Sequence, residues 1–263
     1  LGEKLGSLLK GNQTQANYKP LEGCMKFKET TIKYLAGLFD ADGSISLMKG
    51  THNVQAVIQI SQSVQGYPVI DLLCEEFGKN YSVCRKEGYR DTHLFPLCKL
   101  SHQRAFIDRI CKYMVVKGFD FNWVISKVEE LRGSRVSDKE FEDIKREREI
   151  HRHVGGSVKP ISHVSDAWVA GFLDGDGHYE NAKQKSVSVF ATKTEKFVAM
   201  YYLREKLGGY CYESSKKGVG WRRNLGKQGK DFAVPFLTLM RKYSLIKKDK
   251  IKDLLDFHSG GTD

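Results

Sequence analysis

Between residues 30 and 42 the apolar positions Tyr34, Leu35, Leu38 and Phe39 recur at helical spacing, and the pattern then switches to alternation in Ser44–Met48 and again in Val54–Gln62. The same switch occurs later, where Trp168, Val169, Phe172 and Leu173 precede His178 and Tyr179. Each helical run carries an Ala-Gly pair, Ala36-Gly37 and Ala170-Gly171, and ends in Asp-x-Asp-Gly. Those pairs leave a helix face almost without side chains, which allows two backbones to approach closely. Two copies of such a face predict that each helix is the other's partner. Gly43 and Gly177 stand where a left-handed residue would end each helix, and Thr30 or Thr31 offers an N-cap to the first.

The duplication extends beyond the helix. In the first half the pattern predicts a hairpin over 44–62, a helix from Pro68 to Gly78, a strand pair at 81–83 and 93–100, and helices over 103–113 and 122–132. From Asp42 to Gly78 is 36 residues (78 − 42), and from Asp176 to Gly208 is 32 (208 − 176). From Asp42 to Lys117 is 75 (117 − 42), against 71 (247 − 176) from Asp176 to Lys247. Both comparisons leave the second copy four residues short, a deletion that falls mainly in the hairpin between His178 and Lys193. The text Lys112–Lys117 also answers Lys242–Lys247. Two αββαββα half-domains are expected at 30–132 and 166–258, in an α+β fold. They follow an N-terminal arm at 1–29, are joined by a linker at 133–165 that contains a charged, exposed helix over 137–151, and precede a tail at 259–263.

If the two helices pack side by side and end level, Asp42 and Asp176 meet at the negative ends of two helix dipoles, an arrangement that divalent cations would relieve. Carboxylates are hard oxygen ligands of the kind that suits Mg²⁺, with Mn²⁺ or Ca²⁺ as substitutes. Carboxylate-bound metals supply what phosphodiester hydrolysis needs. The chain has no H-E-x-x-H, G-x-S-x-G or Walker sequence, which argues against protease, esterase and nucleotide-hydrolase chemistry.

Leu35–Gly43 and Val169–Gly177 resemble the paired signature motifs of the LAGLIDADG homing endonucleases, in their single-chain form. The resemblance implies saddle-like antiparallel sheets with helices packed on one face. It also implies hydrolysis of one phosphodiester in each strand of a long, non-palindromic DNA target. It makes Asp42 and Asp176 the metal-binding catalytic residues, leaves Asp40 and Asp174 structural, and places Gln62 and Lys117 in the first half and Lys193 and Lys247 in the second around the metal-bound water.

The outward set of the first hairpin, with Ser46, Gln55, Gln59 and Ser61, is rich in amides and hydroxyls, and a two-stranded ribbon carrying such groups fits the major groove. Arg85 and Arg90, Lys216 and Lys217, and Arg222 and Arg223 lie at or beside strand turns expected to face DNA. Lys183, Lys185 and Ser188 of the second hairpin complete that set. Trp221 is expected to pack rather than stack.

Charge supports a polyanionic partner: 43 Lys and Arg against 32 Asp and Glu leave a net +11. No run approaches the ~18 apolar residues of a membrane span, predicting a soluble intracellular protein with no membrane partner, in an organelle (mitochondrion or chloroplast) or a microbial cytoplasm. The six cysteines form no C-x-x-C pair and read as free thiols. With both motif helices on one chain, a monomer with no obligate protein partner is expected. The alternatives are an intron-RNA maturase of similar fold and, less favoured, a non-catalytic DNA-binding regulator; both acids being intact argues for the nuclease.

Overall fold

The computed structural model describes residues 27–51, 53–84, 91–154, 160, 162, 164–180, 186–192, 196–214, 218–226 and 230–258. The elements of the first copy are α1 (Glu29–Ala41), β1 (Gly43–Lys49), β2 (Val54–Ser63), a 3₁₀ turn (Val64–Gly66), α2 (Tyr67–Phe77), β3 (Ser82–Cys84), β4 (Thr92–Leu97), α3 (Leu100–Ile110) and α4 (Gly118–Glu130). A connecting helix, α5 (Asp138–Val154), precedes α6 (Asp166–Asp176), β5 (Gly177–Glu180), β6 (Ser186–Ala191), α7 (Phe197–Leu207), β7 (Tyr210–Ser214), β8 (Gly218–Asn224), α8 (Lys230–Tyr243) and α9 (Lys248–His258). The expected α+β order is present twice, with helix ends displaced by one to four residues. The two sheets are antiparallel, with strand orders β1-β2-β4-β3 and β5-β6-β8-β7.

The chain forms two compact units whose boundaries do not follow the duplication. One contains Asp42–Asp108 and Phe121–Ile150; the other contains Lys28–Ala41, Arg109–Asp120 and the residues from His151 onward. Both motif helices therefore belong to the second unit.

In the first unit, alternation in β2 sends Val54, Ala56, Ile58 and Ile60 inward, where they are at most 4% exposed. The inward face packs with Phe95 and Leu97 of β4, and with Val69, Ile70, Leu73 and Phe77 of α2. Phe77 meets Phe95 and Phe106 at ring-centroid distances of 6.0 and 5.9 Å. The buried Gln103 of α3 donates its amide to Ala56 O and Leu97 O, both at 2.6 Å, tying the helix to two strands. Gly78 (φ 58°) closes α2 in the left-handed conformation, returning its N–H to Cys74 O.

The connecting helix is not simply solvated. Phe141, Ile144 and Arg148 are buried, and Arg148 donates to Ile45 O of β1 at 2.8 Å. Spacings of three and four residues among these positions form the stripe that seats α5 on the first unit.

In the second unit, Val187, Val189, Trp221, Leu203, Leu237 and Met240 are buried in the core. Trp221 packs as expected and donates its indole N–H to Gly208 O at 2.9 Å. The shorter second hairpin is also observed. Gly43 pairs with Ile60, 17 residues on (60 − 43), whereas Gly177 pairs with Val189, 12 on (189 − 177).

Two expectations at the motif ends are corrected. Gly43 and Gly177 are not left-handed: both start strands directly, and Gly177 has φ −74°, ψ 142°. A Cβ at Gly177 would lie 2.8 Å from Leu173 Cα, so close approach accounts for this glycine. Thr30 and Thr31 lie inside α1, which starts at Glu29; the side-chain cap is found instead on α6, where Ser165 Oγ accepts from Trp168 N at 3.1 Å.

Candidate active site

The site starts from the pairing of α1 with α6. A Cβ on Gly37 would lie 2.8 Å from Phe172 N and closer still to Trp168 O; a Cβ on Gly171 would lie 2.9 Å from Leu38 N and closer still to Tyr34 O. Every contact of one copy is mirrored in the other, 134 residues along. Ala36 and Ala170 are buried beside them. This is the small-residue interface expected from Ala36, Gly37, Ala170 and Gly171.

The same pairing buries the first acid of each motif. Asp40 is fully buried and accepts from the backbone N–H groups of Val115 (2.7 Å), Val116 (3.1 Å) and Lys117 (2.8 Å) and from the indole of Trp168 (2.9 Å). Asp174 accepts from Ser244 Oγ (2.6 Å), from the N–H groups of Leu245, Ile246 and Lys247, and from Tyr34 OH (2.7 Å). Tyr34 and Trp168 occupy equivalent positions, so each motif's leading aromatic donates to the other motif's buried acid. Burial pushes the Asp40 carboxyl up, opposed by the hydrogen bonds from Lys117 N, Val115 N and Trp168. These acids are anchors for the loops that follow α3 and α8, in keeping with their structural role.

Those loops deliver two lysines to the ends of the motif helices. Lys117 Nζ donates to Phe39 O (3.2 Å) and Ala41 O (2.9 Å). Lys247 Nζ donates to Leu173 O (2.7 Å), Gly175 O (3.4 Å) and Gly177 O. Each ammonium thus meets backbone carbonyls in and just beyond the last turn of its motif helix, at the negative end of the dipole. The geometry makes Lys117 and Lys247 caps that position the last turn and the acid beyond it.

The second acids differ from the first. Asp42 and Asp176 are part-exposed residues at the ends of α1 and α6. Gln62 Nε2 donates to Asp42 Oδ2 at 2.7 Å, which sets Gln62 beside the acid. At Asp176 the partner is Lys196, whose Nζ lies 2.5 Å from Oδ2. Lys196 is the residue that sequence reasoning missed. Lys193, named in its stead, lies outside the described residues. The strand register explains the difficulty: Ala191 pairs with Val219 at the end of β6, and Lys196 follows the strand as the N-cap residue of α7. The matching separation of 20 residues, from 42 to 62 and from 176 to 196, was the available signal.

A divalent cation fits these acids in a limited sense. Among the described residues no group of three or more His, Cys, Asp or Glu side chains could hold a metal ion. Asp42 and Asp176 offer carboxylate oxygens, donors that suit a hard cation completing its shell with water and phosphate.

On the outward face of the first sheet, Ser46, Gln55, Gln59 and Ser61 are part or fully exposed, opposite in parity to the buried β2 residues. Ser188 pairs with Arg222 on the corresponding face of the second sheet. Arg222 is held there by Ser186 Oγ (3.0 Å) and Glu180 (2.5 Å). Arg223 is a correction: adjacent strand residues face opposite ways, and its guanidinium stacks over Phe232 of α8 at 4.3 Å. Arg85, Arg90, Lys183, Lys185, Lys216 and Lys217 lie outside the described residues.

No family model matches the chain. The DNA endonuclease I-CreI of Chlamydomonas reinhardtii is 25% identical over 126 residues, which cover 45% of this chain and 75% of that protein. Among solved structures, the meganuclease I-SmaMI bound to uncleaveable DNA superposes with a TM-score of 0.64 at 17% identity, covering 88% of this chain and 91% of that one. The LAGLIDADG homing endonuclease I-GzeII in complex with its DNA target gives 0.62 at 16% identity, covering 87% and 89%. The LAGLIDADG homing endonuclease I-LtrWI bound to target DNA gives 0.62 at 18% identity, covering 88% and 90%.

Proposed function

From the premise that the chain has the two-motif LAGLIDADG homing endonuclease fold, we propose that it is a site-specific double-strand DNA endonuclease. The observation that carries the reading is the division of labour within each motif. One acid is buried and saturated with donors, while the acid two residues on stays part-exposed at the helix end. A fold maintained only as a scaffold has no use for the second acid.

Asp42 and Asp176 are the catalytic carboxylates and would hold Mg²⁺, with Mn²⁺ or Ca²⁺ able to take its place. When bound, the metal supplies water activation and charge stabilisation at the phosphate. Gln62 and Lys196 orient the carboxylates, and Lys117 and Lys247 hold the helix ends that carry them. The partner is a long duplex without a palindrome, since the two sheets present different outward faces. Ser46, Gln55, Gln59 and Ser61 read one half-site, and Ser188 with Arg222 reads part of the other. The two motif helices already occupy each other's small-residue faces, so the protein acts as a monomer.

Linearisation of a plasmid library by the purified protein in Mg²⁺, followed by sequencing of the ends, tests this directly. One recurrent asymmetric cut site is expected, and an intact library in every divalent cation would contradict it. Binding should also weaken steeply with salt, log K falling by about 0.9 per neutralised phosphate per log unit of salt.

A further inference from the structure

We infer that Phe190 and Tyr212, on the outward face of the second sheet, select thymine by its C5 methyl group in the half-site that this sheet binds. The inference rests on the endonuclease reading and deepens it by naming base chemistry that one half of the target must carry.

The strand register arranges the outward face in rows across β6, β8 and β7. Ser188, Arg222 and Tyr210 form one row, and Phe190, Gly220 and Tyr212 form the next. All six have the parity opposite to that of the buried Val187, Val189 and Trp221. Neighbouring rows are two residues, about 7 Å, apart along the strands, so they address different base pairs. The first row is polar at its centre, where Arg222 is held by Ser186 and Glu180. The second carries two aromatic rings, and Phe190 is 38% exposed although β6 is an inner strand of the sheet.

The backbone makes room for those rings. β8 sets Gly218 and Gly220 on the outward face and Val219 and Trp221 on the other. Glycine within a strand gives up side-chain packing and marks a close approach. A Cβ on Gly220 would lie 2.6 Å from both Cε1 and the hydroxyl oxygen of Tyr212, and one on Gly218 would lie 2.5 Å from Phe190 Cζ and 3.0 Å from its Cε2. Both rings therefore lean onto bare β8 backbone. Tyr210 stands beside Tyr212, with ring centroids 6.1 Å apart. The result is a carbon surface continuous with the row of Ser188 and Arg222, on a chain of net charge +11. Continuity and charge assign it to the same polyanion.

In the major groove of a duplex the bases are met edge-on, and the thymine methyl is the apolar group on those edges. A phenyl ring has no hydrogen-bonding atom to offer. Set against a polar base edge, it displaces water and leaves a donor or acceptor unsatisfied. Set against a methyl, it removes carbon surface from water on both sides. The aromatic row thus favours thymine twice, by attraction to the methyl and by desolvation of the alternatives.

The test uses the full chain and the cut site recovered from the plasmid library, with affinity for the duplex measured in EDTA. Each thymine in turn is replaced by deoxyuridine, which removes the methyl and keeps every hydrogen-bonding group. Sensitive thymines should cluster in one half-site, each replacement weakening binding by about threefold to fourfold, the scale of one buried methyl. At those positions a 5-methylcytosine·guanine pair should bind about threefold to fourfold more tightly than cytosine·guanine. Phe190→Ala and Tyr212→Ala should each flatten the methyl sensitivity of that half-site. The deoxyuridine scan uses the wild-type protein, so it decides the matter even where an alanine variant folds poorly. Tolerance of deoxyuridine throughout a site that is bound and cut would overturn the inference and leave the endonuclease reading standing. So would methyl sensitivity that both alanine variants retain in full. Tighter binding of single-stranded oligouridylate RNA than of the duplex, lost in Phe190→Ala, would also overturn it, because the rings would then stack on base faces. Absence of any recurrent cut site would overturn the endonuclease reading itself, and this inference with it.

Discussion

The α1–α6 pair and the two sheets record the same duplication with very different fidelity. Across the helix pair, glycine meets backbone, aromatic reaches acid, and lysine caps helix at positions 134 residues apart or, after α2 and α7, 130 apart. Across the sheets, one hairpin is five residues shorter, one outward face carries amides and hydroxyls, and the other carries Tyr210, Phe190 and an arginine pinned by glutamate. The contrast follows from what each region must satisfy. A helix contact with no room for a methyl group and a carboxylate with four or more donors tolerate almost no substitution, whereas a solvent-facing strand residue answers only to its ligand.

The largest effect that would break this comparison is expected from bulk in the helix contact. Gly37→Leu and Gly171→Leu drive side chains into backbone that cannot retreat, and each should cost at least the ~1–3 kcal/mol of overpacking, with loss of cooperative urea unfolding as the extreme outcome. Equal damage from both is the specific expectation, and a tolerated leucine at either position would refute the mirrored contact. Next come the buried acids. Asp40→Ala leaves four donors without their acceptor and should lower unfolding free energy by about 3 kcal/mol or more, while Asp42→Ala should change it by less than about 1 kcal/mol. Denaturation of the pair of variants side by side checks the division between the two acids of one motif.

How much of this was legible beforehand differs along the same line. The duplicated Ala-Gly pairs revealed the helix partnership, and alternation in Val54–Gln62 revealed which side chains face outward. Parity also speaks against Arg223, since it and Arg222 cannot share a face, and that inference was available from the chain alone. The stripe of Phe141, Ile144 and Arg148 was masked by the surrounding charges of α5. The exchange of Tyr34 and Trp168 between motifs was not legible, because it depends on which side-chain directions the helix crossing allows. Lys196 was legible only as a spacing, 20 residues beyond Asp176 as Gln62 is beyond Asp42; that it reaches the acid from the head of α7 and not from a strand depends on the path of the chain after β6.

Smaller effects sharpen the symmetry further. Lys117→Met and Lys247→Met each remove a charged donor from the last carbonyls of a motif helix and should cost about 1–2 kcal/mol, measured as a shift in urea midpoint. Trp168→Phe and Tyr34→Phe delete only the hydrogen bond to the opposite motif's acid while largely preserving ring packing. Each should cost about 1–2 kcal/mol, a bond to a charged acceptor being worth slightly more than a neutral one. A large loss from one and none from the other would show that the exchange is ornamental on one side.

The central claim, that the part-exposed acids carry the chemistry of a double-strand endonuclease, is tested most directly by Asp42→Asn and Asp176→Asn assayed on the cognate duplex in Mg²⁺, with DNA binding measured on the same samples. The account predicts that each variant binds the site with near wild-type affinity and fails to produce a double-strand break. Full linearisation by either variant would contradict it.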